Sequence, residues 1–405
     1  MTTEPIVSAR AADEPMDAPR DAAAVRPLRI MHLSRAAETL RSFMIPTMEA
    51  QIRLGHDVVI CTDESVHTEP LRKAGFEVFI HGMKRSLNPF GALAAVFRIR
   101  RFLIEQRIDV VICHNSLAGQ VGRLGAWLAG TPHVIYFAHG LACGPAQSPL
   151  LWRLRYLAER AFAPCTSAMV IMNDYDERIS KQGRLSRSPG RVFRIPGMGV
   201  DLAKFSTEPN PRLREKLARE LDVDPRVKLV LCVARLIPEK GVTELVEAAH
   251  RICKDRRDVV FLLAGTGPLT DRLKAMVRTY GIGDSFRVLG WRNDVDDLMR
   301  CADLFVLPSY YMEGLPVSIL EAMACGKPVV TTHHKGCEDA VVDGQTGWLV
   351  PVRVIEPLAA RIVELLDDAA LRGRMGAAGR RRVEEEYEID HCTRTIVRVL
   401  EDAMR

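Results

Sequence analysis

Residues 303–326 read Asp303-Leu-Phe-Val-Leu-Pro-Ser-Tyr-Tyr-Met-Glu313-Gly-Leu-Pro-Val-Ser-Ile-Leu-Glu321-Ala-Met-Ala-Cys-Gly326. The apolar run Leu304 to Leu307 fits a fully buried strand. Pro308 and Ser309 end it in a turn. Gly314 permits positive φ or a close backbone approach. Pro316 suits the first turn of a helix, where its missing N–H costs nothing. Ser318 to Ala324 complete that helix. A buried strand feeding a helix through a short turn is the repeating unit of a parallel sheet with helices on its faces.

The alternation continues outward from this stretch. Toward the N-terminus, strand-like runs occur at 28–33, 57–62, 76–80, 109–113, 134–138, 168–172 and 192–195. Helical spacing lies between them at 39–54, 90–106, 117–129 and 150–162. Residues 206–212, with Pro209 and Pro211, have linker composition. A second series follows, with strands at 228–233, 259–263, 286–289, 304–307 and 329–331 and helices between them. Three charge-dense helical segments, 355–366, 369–386 and 390–404, close the chain.

The pattern predicts an α/β protein of two tandem doubly wound, Rossmann-like domains facing across a cleft. Residues 28–205 form the first domain and 206–385 the second. Residues 386–405 form a helix that returns to the first domain, and 1–27 a disordered tail. Ligands in such sheets bind beyond the carboxyl ends of the strands, which here face the cleft.

Bulk properties agree. A chain of 405 residues exceeds one hydrophobic core. With 47% hydrophobic and 26% charged residues it has the composition of a soluble globular protein. The net charge of +5 is mild and suits an anionic ligand, a membrane surface or no charged partner, and no nucleic-acid partner is expected. No apolar run approaches the roughly 18 residues of a membrane span. The first 27 residues lack the apolar core of a signal peptide, so a cytoplasmic location is expected. Ten cysteines include no Cys-x-x-Cys pair. Cys61, Cys113, Cys165 and Cys232 lie in or beside apolar stretches and read as buried free thiols rather than disulfides or zinc ligands.

The turn at 308–316 aims free N–H groups and the positive end of a helix at one spot, a ready anion site. Glu313 precedes the helix and Glu321 lies within it. One can accept from a sugar, the other from a ribose diol. A single Glu on a helix is otherwise a solvated surface residue. A second cluster, Val233-Ala-Arg235-Leu-Ile-Pro-Glu-Lys240-Gly241, leaves the first strand of the second domain. Arg235 and Lys240 are suited to a diphosphate, or to surface pairs with Glu239 or Glu244. Gly265-Thr-Gly267 fits a phosphate approach or a plain tight turn, since the third glycine of the dinucleotide fingerprint is missing. Arg292, after the next strand, could frame a base. In the first domain His139-Gly140 closes a strand and could face the cleft, or be structural.

These residues resemble the retaining glycosyltransferases of family 4, which have the GT-B fold. The pair Glu313 and Glu321, with seven residues between them, matches that family's donor motif, and so does Arg235 with Lys240. The likeness covers nearly all of the chain after residue 27. The first half resembles the branch that builds capsular and other surface polysaccharides, through Thr39 to Pro46, Ser86-Leu-Asn-Pro89, His139-Gly140 and Ile195 to Asp201.

The resemblance implies transfer from a nucleotide-diphosphate sugar, with UDP expected. The implied acceptor is a lipid-linked saccharide or oligosaccharide at the inner membrane face. No further cofactor and no metal is expected. By the same resemblance, Arg235 and Lys240 bind the donor diphosphate, Glu313 contacts the sugar and Glu321 the ribose. The backbone of Gly314 and Leu315 lies against sugar and phosphate, with His139 beside the reacting carbon. Two departures stand out. Glu38-Thr39-Leu40 replaces the family's Gly-Gly loop, as in this branch, and Leu117-Ala118 replaces the Pro-Lys pair of many members.

The first half names no carboxylate for a double displacement, so front-face attack with retention is expected. A nucleotide-sugar epimerase of the same architecture, or a non-catalytic binding partner of an assembly complex, is the alternative. A dinucleotide-dependent dehydrogenase fits least. Arginines mixed with apolar residues at 98–107 and 153–160 suit either solvated helices or peripheral membrane contact.

Overall fold

The computed structural model describes residues 26–82, 89–188, 190–208 and 210–405. Most of the expected tail, and Ser86 to Asn88 of the quoted Ser86–Pro89 motif, lie outside the described residues. Strands β1 (Arg29–Ser34), β2 (Asp57–Thr62), β3 (Glu77–Ile80), β4 (Val110–His114), β5 (His133–Phe137), β6 (Ala168–Ile171) and β7 (Val192–Arg194) form one sheet. Its order is β3-β2-β1-β4-β5-β6-β7, and every pairing is parallel. Strands β8 (Lys228–Val233), β9 (Val259–Ala264), β10 (Phe286–Gly290), β11 (Leu304–Leu307), β12 (Val329–Thr332) and β13 (Gly347–Val350) form the second. Its order is β10-β9-β8-β11-β12-β13, again parallel.

The central strands are buried on both faces. Leu229 to Cys232 and Val259 to Ala264 are all nearly inaccessible, which is why they read as unbroken apolar runs. In the first sheet the faces part cleanly. Ile30, Ile112 and Ile135 join one core cluster, while Met31, Val111 and Tyr136 join another. Both sheets are thus doubly wound α/β layers of the GT-B kind. Their order reverses between β1 and β4, and between β8 and β11. Such switch points splay two loops apart at the carboxyl ends and open a crevice for a ligand.

Three local expectations are corrected. The helical stretch 39–54 is two helices, Ala37–Phe43 and Ile45–Arg53, which meet at Met44. Pro46 lacks the N–H that a continuous helix needs, so the chain restarts there. The 206–212 linker is shorter than its composition implied. Pro211 is the first residue of the helix Pro211–Leu221, and Asn210 caps it by accepting from the Leu213 N–H at 3.1 Å. A strand was missed at Gly347–Val350. There a Cβ on Gly347 would stand 2.1 Å from the Val329 carbonyl oxygen, so only glycine lets the edge strand close on β12.

The last helix, Ile389–Met404, buries Cys392, Ile396, Val397, Leu400 and Ala403 and packs on the helix Ile45–Arg53 of the first domain. His56 Nε2 meets Glu401 Oε1 at 3.0 Å, and Arg191 donates to the Ala403 carbonyl at 2.7 Å. All ten cysteines are buried free thiols.

Candidate active site at the junction of the two sheets

Arg235 and Lys240 leave the end of β8, and Ser309 to Leu315 leave the end of β11, so the switch point of the second sheet brings the two motifs together. Close backbone packing holds them. Gly241 has φ +68°, and a Cβ there would lie 2.0 Å from the Pro308 carbonyl oxygen. The Tyr310 N–H donates to the Glu239 carbonyl at 2.8 Å. Lys240 pairs with Glu313, whose Oε1 also accepts from the Ser309 hydroxyl at 3.1 Å. Both side chains of the pair are nearly buried, so each charge depends on the other. The Arg235 guanidinium stacks over the Tyr311 ring at 4.9 Å, with the Lys240 ammonium 5.2 Å from the same ring. Arg235 is exposed, and among the described residues its side chain makes no hydrogen bond. A cation held by an aromatic face and free of a carboxylate is suited to an incoming phosphate.

The helix Val317–Ala324 begins after Pro316 with no side-chain cap; the Ile319 N–H donates to the Pro316 carbonyl at 3.1 Å, and the N–H groups of Val317 and Ser318 remain for an anion. Glu321 lies within it, half-buried, and burial pushes its carboxyl up to about 7 against the pull of Lys204. A carboxyl with few partners of its own retains lone pairs for a ligand.

The first domain meets this turn backbone to backbone. A Cβ on Gly140 would stand 2.2 Å from the Met312 carbonyl oxygen, and one on Gly314 would stand 2.8 Å from the His139 carbonyl carbon. His139 therefore abuts Glu313 and Gly314. Leu315 turns its side chain against Gly197, where a Cβ would come within 2.7 Å of it. Burial lowers the His139 imidazole to about 4, so the ring is neutral at ordinary pH.

Two expected residues are engaged elsewhere. Arg292 is bound by Asp294 at 2.6 Å and by Glu220 on the helix Pro211–Leu221. Gly265, with φ +138°, is needed where it stands for packing and backbone conformation, since its Cβ would sit 1.9 Å from the Ala234 carbonyl oxygen. Both still lie at the carboxyl edge of the sheet.

Other residues of the junction were not singled out from the sequence. Lys335, after β12, is buried and reaches across the cleft. Its ammonium pairs with Asp176 at 2.7 Å and donates to the carbonyls of Leu141 and Cys143 at 2.7 and 2.9 Å. Asn173, after β6, donates to the Gly314 carbonyl at 2.9 Å and to Asp176 at 3.0 Å. Both follow a strand directly, so the rule that sites lie at strand ends was the available signal.

Two family models match this chain: the glycosyl transferase 4-like domain over residues 46–196, and glycosyl transferases group 1 over residues 214–382. The chain is 29% identical over 332 residues to the UDP-Gal:alpha-D-GlcNAc-diphosphoundecaprenol alpha-1,3-galactosyltransferase of Escherichia coli, covering 81% of this chain and 83% of that one. It is 28% identical over 352 residues to the N,N'-diacetylbacillosaminyl-diphospho-undecaprenol alpha-1,3-N-acetylgalactosaminyltransferase of Campylobacter jejuni, covering 85% and 91%. The crystal structure of Anabaena HepE in complex with UDP superposes with a TM-score of 0.75 at 20% identity, over 93% of this chain and 100% of that one. That likeness speaks to the fold.

Proposed function

We infer from this chain's membership of the family 4 glycosyltransferases, with their GT-B fold, that it moves a sugar from a UDP-sugar to a lipid-linked saccharide in surface polysaccharide biosynthesis. The observation that carries the reading is the junction itself. Arg235, the Lys240–Glu313 pair and an uncapped helix end converge from two strands, and His139 and Gly140 of the other domain close against them.

Arg235 and Lys240 bind the donor diphosphate in this reading. Lys240 is held by Glu313 in the free protein. A diphosphate offers it a second anion and leaves Glu313 to accept from the sugar hydroxyls. A unit charge at about 4 Å contributes roughly 4 kcal/mol at an effective dielectric of 20, so two cations on the leaving diphosphate account for several powers of ten in rate. Glu321 accepts from the ribose diol. The neutral His139 lies beside the sugar. With no opposing carboxylate named in the first domain, the acceptor hydroxyl attacks from the face that the diphosphate leaves. Anomeric configuration is then retained, and the departing diphosphate takes the hydroxyl proton.

The acceptor class rests on the two relatives, both named for undecaprenyl-diphosphate saccharides. The surface of the first domain supports it. No helix among the described residues is long and apolar enough to cross a membrane. Phe90, Leu93, Phe97 and Ile104 are nonetheless exposed on the helix Pro89–Glu105, and Leu150, Leu154 and Leu157 on the helix Pro149–Ala161. Arg100, Arg101, Arg153 and Arg160 intersperse them. Apolar rows flanked by cations fit the headgroup region of a bilayer, where a lipid-linked acceptor is held.

The test is thermal stabilisation by a panel of nucleotide sugars, followed by transfer to an undecaprenyl-diphosphate saccharide with the donor that stabilises. Stabilisation by UDP-sugars and a product of retained configuration are expected. Stabilisation by none of the panel, or an inverted product, contradicts the reading.

A further inference from the structure

A file of polar rings runs from the half-buried His139 at the junction into the buried interior of the first domain. His139 Nε2 lies 3.0 Å from His114 Nδ1. His114 Nε2 lies 3.1 Å from His32 Nδ1, and His32 Nε2 lies 2.8 Å from Gln51 Oε1. His32 and His114 stand at the switch point of the first sheet, on β1 and β4, and both are wholly buried, as is Gln51 on the helix Ile45–Arg53. Phe137 packs against the rings of His114 and His139, with centroids 5.2 and 5.0 Å away.

Each ring-to-ring contact joins two nitrogens, so one must carry hydrogen and the other a lone pair. Burial lowers His32 and His139 to about 4 and His114 further, so all three rings are neutral at ordinary pH. A neutral ring has one N–H. The direction of one bond therefore fixes all the others. The Gln51 oxygen can only accept, so His32 must donate from Nε2. Its Nδ1 then accepts from His114 Nε2, and His114 Nδ1 accepts from His139 Nε2. The remaining His139 nitrogen, Nδ1, has no partner among the described residues and carries the lone pair. Reversing the Gln51 amide would reverse every bond and turn that Nδ1 into a donor.

We propose that Gln51, His32 and His114 are positioning residues that hold His139 as its Nε2–H tautomer, so that His139 Nδ1 accepts a hydrogen bond from a hydroxyl of the bound substrate. The inference rests on the placement of His139 beside the donor sugar. The remote glutamine acts through two rings and touches no substrate.

The test combines imidazole 15N NMR of the histidine-labelled full chain with transfer kinetics, using His139→Gln to assign the His139 signals. Wild-type protein is expected to show His139 with hydrogen on Nε2 and none on Nδ1. Gln51→Met removes the terminal acceptor. It is expected to mix the tautomers of His139 and to lower kcat about tenfold, the worth of one hydrogen bond in the transition state, at unchanged donor KM. Hydrogen on Nδ1 of His139 in the wild type would overturn the proposal, and this measurement does not depend on any variant of the relay folding. An unchanged tautomer or an unchanged kcat in Gln51→Met would overturn it as well. Transfer by His139→Gln at the wild-type rate would instead contradict the placement of His139 at the sugar, whatever the NMR shows.

Discussion

Lys335 of the second domain donates to Asp176 of the first at 2.7 Å, and both side chains are buried where the two sheets meet. The pair joins the loop after β12 to the helix Asp174–Gln182, with the carbonyls of Leu141 and Cys143 taking the other ammonium protons. Desolvation depresses the ammonium pKa and Asp176 opposes that shift. Removing one partner leaves an uncompensated buried charge, which costs about 3–5 kcal/mol, whereas replacing both by apolar residues costs less. Asp176→Leu is expected to lower the unfolding temperature clearly, and Asp176→Leu with Lys335→Met to recover part of the loss. Calorimetry of the two variants checks this; an equal loss in both contradicts it.

Gly140 and Gly314 set how closely the domains approach. A methyl group at Gly140 would lie 2.2 Å from the Met312 carbonyl oxygen, against backbone rather than a side chain that can swing away. The φ of +115° adds strain for any other residue. Gly140→Ala is expected to push the loops apart and cut kcat by about a hundredfold, the scale of a misplacement of about 1 Å at a reacting centre. Circular dichroism should show both domains intact. Wild-type kcat in this variant would mean that closure at this contact is not needed.

Glu321, the proposed ribose partner, is expected to link donor binding to pH. Its carboxyl is pushed up to about 7 from 4.5, mainly by burial. The native state therefore holds this proton more tightly than the unfolded chain does. The stability it contributes is complete below about pH 4.5 and is lost as pH rises through about 7. Glu321→Gln stays neutral and should keep that stability, so its unfolding temperature should exceed the wild-type value at pH 8 and match it at pH 4.5. A ribose diol donates best to the ionised carboxylate, so wild-type donor affinity should rise from pH 6 to pH 8, and that rise should vanish in the variant. Unfolding and binding titrations across this range decide it; a wild-type pH dependence in Glu321→Gln removes the ribose role.

The exposed apolar rows predict membrane affinity. Arg100 and Arg101 lie on the same helix as Phe90 and Phe97. Cations near an anionic surface contribute about 1 kcal/mol each. Arg100→Gln with Arg101→Gln should therefore weaken co-sedimentation with anionic liposomes by roughly thirtyfold. Leu154→Gln with Leu157→Gln should weaken it for neutral liposomes too. No binding by the wild type would leave these helices as solvated faces.

Much of the architecture was legible because its signals are local. β8, β9 and β11 announce themselves as unbroken apolar runs, and the turns carry their own Gly and Pro. The junction was legible only in part. Glu313, Lys240 and Arg235 stand in recognisable turns, and the structure brings them together. Lys335 is a charged residue that sequence reading assigns to the surface, because its burial depends on Asp176, 159 positions away. His32 lies within β1 and His114 ends β4, and neither was singled out from the sequence. Their chain becomes visible only once β1 and β4 are paired. Arg292 shows the reverse case, a cation at a strand end that Glu220 and Asp294 already hold.

Transfer as proposed depends most on the meeting of Lys240 with Glu313 beneath a bound diphosphate. The most direct measurement is the rate of sugar transfer from a UDP-sugar to an undecaprenyl-diphosphate saccharide by wild type, Lys240→Ala and Glu313→Gln. Unfolding temperatures are compared in parallel. Losses of at least about a hundredfold in kcat with the fold retained are predicted, the scale of removing a transition-state charge contact. Transfer at the wild-type rate by either folded variant would contradict it.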